Sequence, residues 1–549
     1  MAIRPLCQRL ISRRFLRWVL LAILISSVFA LGLQLRHWTW QKTRHVRFQH
    51  DIVNGFYWGS ETLKEARKLL PTDSSADSWS TFFRGYFALY DHVKDDAYEN
   101  DYGLDYPPLR LLIMSIWAKQ VRDAFPGVDD GHPEHVKPLL NINLFCELLS
   151  AVAIFFLVRL CVKPASNSDW RGLPQRLPTE NRAWICGLAA ASVAWLEPST
   201  ILDAHGRPQW DIWIVPFYLF AVLAALKNRW LTTGCLLAAG AMFKGQLLFV
   251  APFFVLWPLW EKSWIRALCV LAGFAATAAA LVSPWLLRTP AAWIAVVAVA
   301  GSSLLALFHS RMPHRGAWIA GITGGAVFVI GALTGGSFAW LQLGFIYGSE
   351  HYPYLFISSC YNLPLLLSKL GWSLKDPFWS AHFGSIHLQL TLQWALRLFY
   401  LGALAMCAHG MARLQHDREP RVLIAIAAPW LLMFALLGQM HERYLMWGAM
   451  LSAVALGVSF RLSAIHFIIS AASAAMIVHV MLIDKKLEAT LPAIHLLKNI
   501  RPYASGVVLA CVGVYLWSTI STRLPVLRRH TATATAMPRL SLAAEPEEA

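Results

Sequence analysis

The chain alternates long apolar runs with short polar connections. The first run is Trp18–Leu33, and later ones fall at roughly 138–161, 183–200, 211–226, 230–243, 246–260, 265–286, 291–308, 317–336, 390–409, 422–438, 444–460, 463–482 and 504–520. A hydrocarbon core about 30 Å thick takes about 20 apolar residues in a helix rising 1.5 Å per residue. The pattern therefore predicts about fourteen helical spans. Two polar connections break the rhythm by their length, residues 36–137 and 337–389. Within the first, Phe82–Tyr90 and Leu109–Val121 are aromatic and apolar stretches that predict amphipathic helices lying on a membrane surface. The segment from Thr531 to Ala549 is rich in Thr and Ala and then acidic, which predicts a disordered tail. The reading is an all-α polytopic membrane protein, with one domain over residues 1–530 and a tail over 531–549.

Composition narrows the class. Of 549 residues, 57% are hydrophobic and 15% charged, whereas soluble chains carry about 25% charged residues. A soluble multi-domain enzyme and a disordered polar chain are excluded. The 25 Trp, 29 Phe and 15 Tyr suit aromatic belts at two membrane–water interfaces. A net charge of +16 would point to nucleic acid in a soluble protein; here it sorts by membrane side, and no nucleic-acid partner is expected. Alternating the spans places Lys163, Arg171, Arg176, Arg182, Lys227, Arg229, Lys262 and Arg266 on the same side as the Arg-rich start, together with Arg311, Arg315, Arg413, Arg418, Arg421, Arg523, Arg528 and Arg529. The positive-inside rule makes that side cytoplasmic, with both termini inside and both long loops outside. No small-residue cleavage site follows the first run, so it reads as a retained helix rather than a signal peptide. The expected location is a bacterial inner membrane, or the ER membrane for a eukaryotic source. The nine cysteines show no CxxC pair or Cys/His spacing, and read as small buried hydrophobes.

Short polar clusters gather at the outer ends of the predicted spans. Asp105 and Tyr106 precede Pro107-Pro108 at the close of the first loop. Asp203, His205, Arg207, Gln209 and Asp211 occupy the next outer turn, and Lys244 and Gln246 interrupt two apolar runs on the following one. Asn362 lies in the second long loop, and His441, Glu442, Arg443 and Tyr444 lie on the outer turn before the twelfth run. Arg207, Lys244, His441 and Arg443 can make charge-assisted hydrogen bonds to a phosphate. Asp51, Asp105 or Asp211 can take a proton from an attacking hydroxyl. Phosphate, base and membrane cleft together point to transfer from a lipid-phosphate donor, while transporters also line midplane cavities with ions.

At these residues the chain resembles the GT-C superfamily of integral-membrane glycosyltransferases. Tyr102-Gly103-Leu104-Asp105-Tyr106-Pro107-Pro108-Leu109 is similar to the YWGLDYPPL signature of the dolichyl-phosphate-glucose glucosyltransferases of the ER. His205-Gly206-Arg207-Pro208-Gln209-Trp210-Asp211 parallels their HGHFQYN, and Phe243-Lys244-Gly245-Gln246-Leu247 parallels FKQMAL. His441-Glu442-Arg443-Tyr444-Leu445 parallels HEKSIL and the MHERYL of bacterial relatives, described as mannosyltransferase-like. Pro208 and Asp211 stand in place of Phe and Asn, and Arg443 in place of Lys. The resemblance implies a GT-C-like bundle of about 12–14 transmembrane helices, a polyprenyl-phosphate hexose as donor, and a glycan, lipid-linked or protein acceptor. It places an inverting general base near the start of the first loop, matched here by Asp51. Some branches of the superfamily use a divalent ion at the outer-loop carboxylates and others need none; no ligand spacing in this chain decides between them.

Each residue also has a plainer reading. Asp51 is equally a solvated loop carboxylate, and Asp105 equally a turn cap before two prolines. Asp211 could be a charge at a helix N-terminus, and Lys244 a side chain snorkelling from a helix end. Glu442 reads as an orienting partner of Arg443, and Trp58 and Trp210 as sugar-stacking candidates. The rival function is a transporter or flippase of lipid-linked sugars, which predicts internal repeats and ionisable residues near the midplane.

Overall fold

A computed structural model describes residues 13–44, 50–68, 79–95, 104, 106–127, 133–162, 179–308, 314–347, 359–383, 386–485 and 490–521. Nine described helices are long and apolar enough to cross a membrane: Trp18–Thr43, His135–Val162, Glu180–Gly206, Trp264–Leu286, Pro290–Leu307, Arg315–Leu333, Leu392–His416, Phe460–Asp484 and Arg501–Ile520. Shorter apolar helices fill Asp211–Leu226, Trp230–Phe243, Leu247–Trp260 and Val422–Leu436. Leu445–Ser452, extended by the turns of Ala453–Gly457, occupies the remaining expected run. The chain is a multi-pass membrane protein dominated by α-helices.

Burial sorts these helices. Every residue of Val422–Leu436 is buried, as expected for a helix that is apolar all round and sits inside a bundle. Tyr218 reaches across to it, its hydroxyl donating to the Ile426 carbonyl at 2.7 Å. The first helix, by contrast, exposes Trp18, Leu20, Ile23, Leu24 and Leu31. That pattern suits a helix facing lipid.

The first long connection is helical through most of its described length, as His50–Lys68, Trp79–Asp95 and Pro108–Ala124. The last two contain the stretches expected to form surface helices. Pro108 opens its helix at the first turn, where a missing N–H is harmless. The Tyr86 hydroxyl donates to the Pro108 carbonyl and the Tyr90 hydroxyl to the Tyr106 carbonyl, each at 2.7 Å. Burial pushes both phenols well up, so both stay protonated and act as donors. Ser115 donates to Thr62 at 2.9 Å, tying the first of these helices to the third.

The second long connection departs from the all-α expectation. Pro377–Phe383 and Ile386–Thr391 pair as an antiparallel hairpin, with Trp379 opposite Leu390, Ala381 opposite Leu388 and His382 opposite His387. The cause lies in the sequence: apolar and polar residues alternate with period two on both sides of Gly384-Ser385, the signature of a half-covered hairpin. The first and last residues, including the expected tail at 531–549, lie outside the described residues.

Candidate functional site

The polar clusters sit where helices end or change character. The helix entering the first turn opens into a π-type turn at Leu202–Gly206, and the chain then makes a tight turn at Asp211–Trp213 before the next span. Lys244 follows the last residue of Trp230–Phe243 with extended backbone. Glu442–Tyr444 forms a single tight turn between Val422–Leu436 and Leu445–Ser452. Asp211, Lys244 and Arg443 are far apart in sequence, and the fold brings all three together.

Asp211 is the hub. Its two carboxylate oxygens are clasped by different cations, Lys244 on Oδ1 and the Arg443 Nε on Oδ2, the latter at 2.6 Å. Its backbone carbonyl accepts from the Trp447 indole at 2.8 Å. None of the three side chains is open to solvent. The Lys244 ammonium lies 4.9 Å from the centre of the Tyr444 ring, which stacks on Trp447, so aromatic faces supply cation–π attraction where water is excluded. Lys244 is not a snorkelling side chain; it is an internal cation. Gln246 donates from its amide to the Tyr444 hydroxyl at 3.3 Å.

A second ion pair carries the network outward. Arg207 donates from Nη1 to Glu442 Oε1 at 2.7 Å, and its Nε lies 3.8 Å from Asp484. The His441 ring sits 3.8 Å from the other Glu442 oxygen. Burial opposes ionisation of Glu442, but the attraction of His441, Arg443 and Arg207 outweighs it and holds the carboxyl well below its usual range. Glu442 is therefore a fixed anion and a poor general base. The side chains of His441 and Arg207 remain 36% and 19% exposed, which makes them the solvent-facing edge of the cluster.

Beside it lies a deeper network. The Asn143 amide donates at 2.8 Å to the carbonyls of both Ala204 and Gln209, tying the middle of the π turn to the segment that follows it. Glu147 accepts from Arg36 on one oxygen and lies 3.0 Å from His205 Nε2 on the other. A carboxylate only accepts, so this contact fixes a proton on that nitrogen. Arg36 also donates to the carbonyls of Gly32 and Trp195 and stacks on the Trp195 ring at 3.8 Å. His205 is thus held by Glu147.

The remaining expected residues fall as follows. Asp105 lies outside the described residues. Its neighbour Tyr106 carries the buried Arg110 guanidinium 3.4 Å above its ring, and that guanidinium also lies 4.2 Å from the centre of the Trp210 ring and 5.9 Å from that of Phe243. Trp210 is therefore committed to Arg110. Asp51 occupies the first turn of His50–Lys68, while its side chain lies outside the described residues. One turn on, Gly55 meets Trp210 so closely that a Cβ there would fall 2.4 Å from the indole. The Asp51 helix consequently runs against the residue that precedes Asp211. Asn362 caps Leu363–Lys369, its side-chain oxygen accepting from the Leu365 N–H at 3.1 Å. Its neighbour Cys360 donates to the Met440 carbonyl at 3.0 Å, beside His441. Burial and the Glu442 charge push the Cys360 thiol well up, which leaves it unreactive.

Two participants, Arg36 and Glu147, lie outside the polar clusters of the sequence, and a third, Asp203, lies within one without an assigned role. Arg36 and Glu147 are charges at the end and in the middle of apolar runs, a signal for buried function in membrane chains. Asp203 sits in the π turn with both carboxylate oxygens buried and without a hydrogen-bond partner among the described residues, in the field of Arg443, Lys244 and Arg207. Among the described residues no group of three or more His, Cys, Asp or Glu is placed to hold a metal ion. Neither protein-family models nor curated proteins give a match to this chain.

Proposed function

We propose that this protein is a glycosyltransferase that moves a hexose from a polyprenyl-phosphate carrier to an acceptor hydroxyl, with inversion at the anomeric carbon. The observation that carries the reading is the convergence of the second, third and fourth resemblance motifs on one ion network, through Arg207, Asp211, Lys244, Glu442 and Arg443. In this reading the donor phosphate meets Arg207 and His441 at the exposed edge. Asp211 holds Lys244 and Arg443 behind them, so their positive field is set before the donor arrives and needs no reorganisation. Glu442 keeps Arg207 at its post. A lipid phosphate leaves readily once its charge is met, so a base and a cationic grip suffice. Asp51, on the helix that packs against Trp210, is the proposed base: the acceptor O–H proton passes to its carboxylate as the oxygen attacks the anomeric carbon and the C–O bond to phosphate breaks. Asp105 and Tyr106 are proposed to shape the acceptor side, Gln209 and Gln246 to hold sugar hydroxyls.

The test is transfer by purified protein from a short-chain polyprenyl-phosphate sugar, across a panel of glucose, mannose, arabinose and galactose donors. Asp51→Asn should abolish turnover while donor binding persists, and Arg207→Ala should weaken donor binding. Absence of turnover with every donor, or full rates in both variants, overturns the proposal.

One observation favours the rival, a flippase of lipid-linked sugars. Within the spans, Glu197 accepts from Ser199 and Ser470, each at 2.8 Å. Its second oxygen faces His466 at 4.0 Å, and His466 in turn contacts Ser452 at 2.8 Å. Ionisable groups at such depth line transport paths in other membrane proteins. Movement of a fluorescent polyprenyl-phosphate sugar between the leaflets of proteoliposomes, without chemical transfer, would establish that reading instead.

A further inference from the structure

The hairpin of the second long connection presents two unlike faces. Register puts Trp379, Ala381, Leu388 and Leu390 on one side and Ser380, His382, His387 and Gln389 on the other. The polar side is organised, with the rings of His382 and His387 stacked 4.2 Å apart. The apolar side is bare: Trp379 is 51% exposed and Leu388 48%. A two-stranded hairpin is marginal in water and needs a surface to cover one face.

What lies around it identifies that surface. The strand Ile386–Thr391 runs directly into the span Leu392–His416, whose Trp394, Leu398, Phe399 and Leu401 are all strongly exposed and face lipid. The Arg397 guanidinium lies over the Trp394 ring at 4.6 Å, the pairing of aromatic and basic side chains that marks a membrane–water boundary. On the other side of the hairpin the turn before it exposes Leu370 and Trp372. The hairpin thus lies in the chain between two exposed apolar segments, Leu370 and Trp372 on one side and Trp394, Leu398, Phe399 and Leu401 on the other.

We propose that the hairpin Pro377–Thr391 is seated in the bilayer interface, its Trp379–Leu388 face among the acyl chains and its His382–His387 face among the headgroups. Its base is fixed to the bundle: Leu392 N–H donates to the Asp376 carbonyl at 2.9 Å and Gln393 N–H to the Leu374 carbonyl at 3.1 Å. Leu374 in turn fills the space above Gly438, where a Cβ would fall 2.7 Å from its side chain. Gly438 lies three residues before His441, so the hairpin ties the exposed edge of the ion cluster to the level of the lipid headgroups.

The experiment places an environment-sensitive fluorescent amino acid at position 379, 380, 388 or 389 of the full chain, reconstituted in phosphatidylcholine nanodiscs. Emission at 379 and 388 should be blue-shifted and lost when lipids carrying a nitroxide on the acyl chain are included. Emission at 380 and 389 should be red-shifted and lost with aqueous iodide. Iodide quenching at all four positions overturns the proposal in favour of a hairpin projecting into water. Blue-shifted emission at 379 and 388 that nitroxide lipids leave intact, with photo-cross-linking from 388 to a second copy, overturns it in favour of a protein interface. The readout needs no enzymatic activity and is independent of the glycosyltransferase reading.

Discussion

The Arg36–Glu147–His205 network and the Asp211–Lys244–Arg443 network are made of the same parts, a carboxylate shared between two nitrogen-bearing side chains. They differ in their surroundings. Arg36, Glu147 and His205 are sealed, with side chains no more than 5% exposed, and they hold the first helix, the helix His135–Val162 and the π turn together. The Asp211 hub is equally dry at its centre but continues through Glu442 to Arg207 and His441 at the surface. The first network needs only to keep helices in place. The second orients cations beside a solvent-exposed edge, where the proposed donor phosphate would meet them, and apolar side chains could not replace them there.

The sharpest way to break this comparison is to remove each carboxylate. Asp211→Ala strands two buried cations and should destabilise the protein by about 3–5 kcal/mol, the usual loss when one partner of a buried pair is deleted; thermal unfolding in nanodiscs measures it. Glu147→Ala should cost a similar amount, yet the double substitution Arg36→Met with Glu147→Leu should recover most of it, since matched apolar groups replace a buried pair at little loss. Retained stability in Asp211→Ala would dismantle the view of Asp211 as hub. The corresponding apolar triple at Asp211, Lys244 and Arg443 should restore folding without restoring sugar transfer.

A smaller effect separates the exposed edge from the centre. Arg207→Ala should lower the unfolding midpoint less than Asp211→Ala does, because Arg207 is partly exposed and buried Glu442 keeps His441 and Arg443 beside it. Donor binding should weaken roughly tenfold or more, the loss of one charge-assisted hydrogen bond of about 1.5–3 kcal/mol. Acid offers a further test. Glu442 has a depressed carboxyl, so its contribution to stability is complete above the ordinary carboxylate range and is lost as pH falls below that range toward its depressed value. Glu442→Gln should flatten that acid limb of a stability–pH curve and leave the neutral limb unchanged in shape. Smallest of all, Asn362→Ala removes a helix cap and should cost about 1 kcal/mol; a larger loss of donor binding than of stability would return Asn362 to the site.

Much of the architecture was legible because lipid imposes long apolar helices, and those show in hydropathy alone. The clusters at 203–211, 244–246 and 441–444 were legible for the same reason: a Lys244 or an Arg443 between two apolar runs stands out. Who pairs with whom was not. Arg36 meets Glu147 across 111 residues, and Asp211 meets Arg443 across 232; no local pattern encodes such partners. The contact of His205 with Glu147 depends on a π turn that adds one residue per turn, and periodicity analysis assumes a regular helix. The hairpin was readable from its alternation, but a seven-residue strand is easily lost in a connection framed by long helices.

The first helix has a consequence of its own. Arg13–Thr43 contains 31 residues, so it is about 46 Å long at 1.5 Å per residue, well beyond a hydrocarbon layer of about 30 Å. Its later part is docked, where Phe29 stacks on Trp195 and Arg36 is latched, while Leu16, Trp18, Leu20, Ile23 and Leu24 of the earlier part are exposed. Hydrophobic mismatch therefore acts on the undocked part alone. A thinner bilayer would tilt that arm about the latch that Arg36 makes with Glu147, and through Glu147 would load His205.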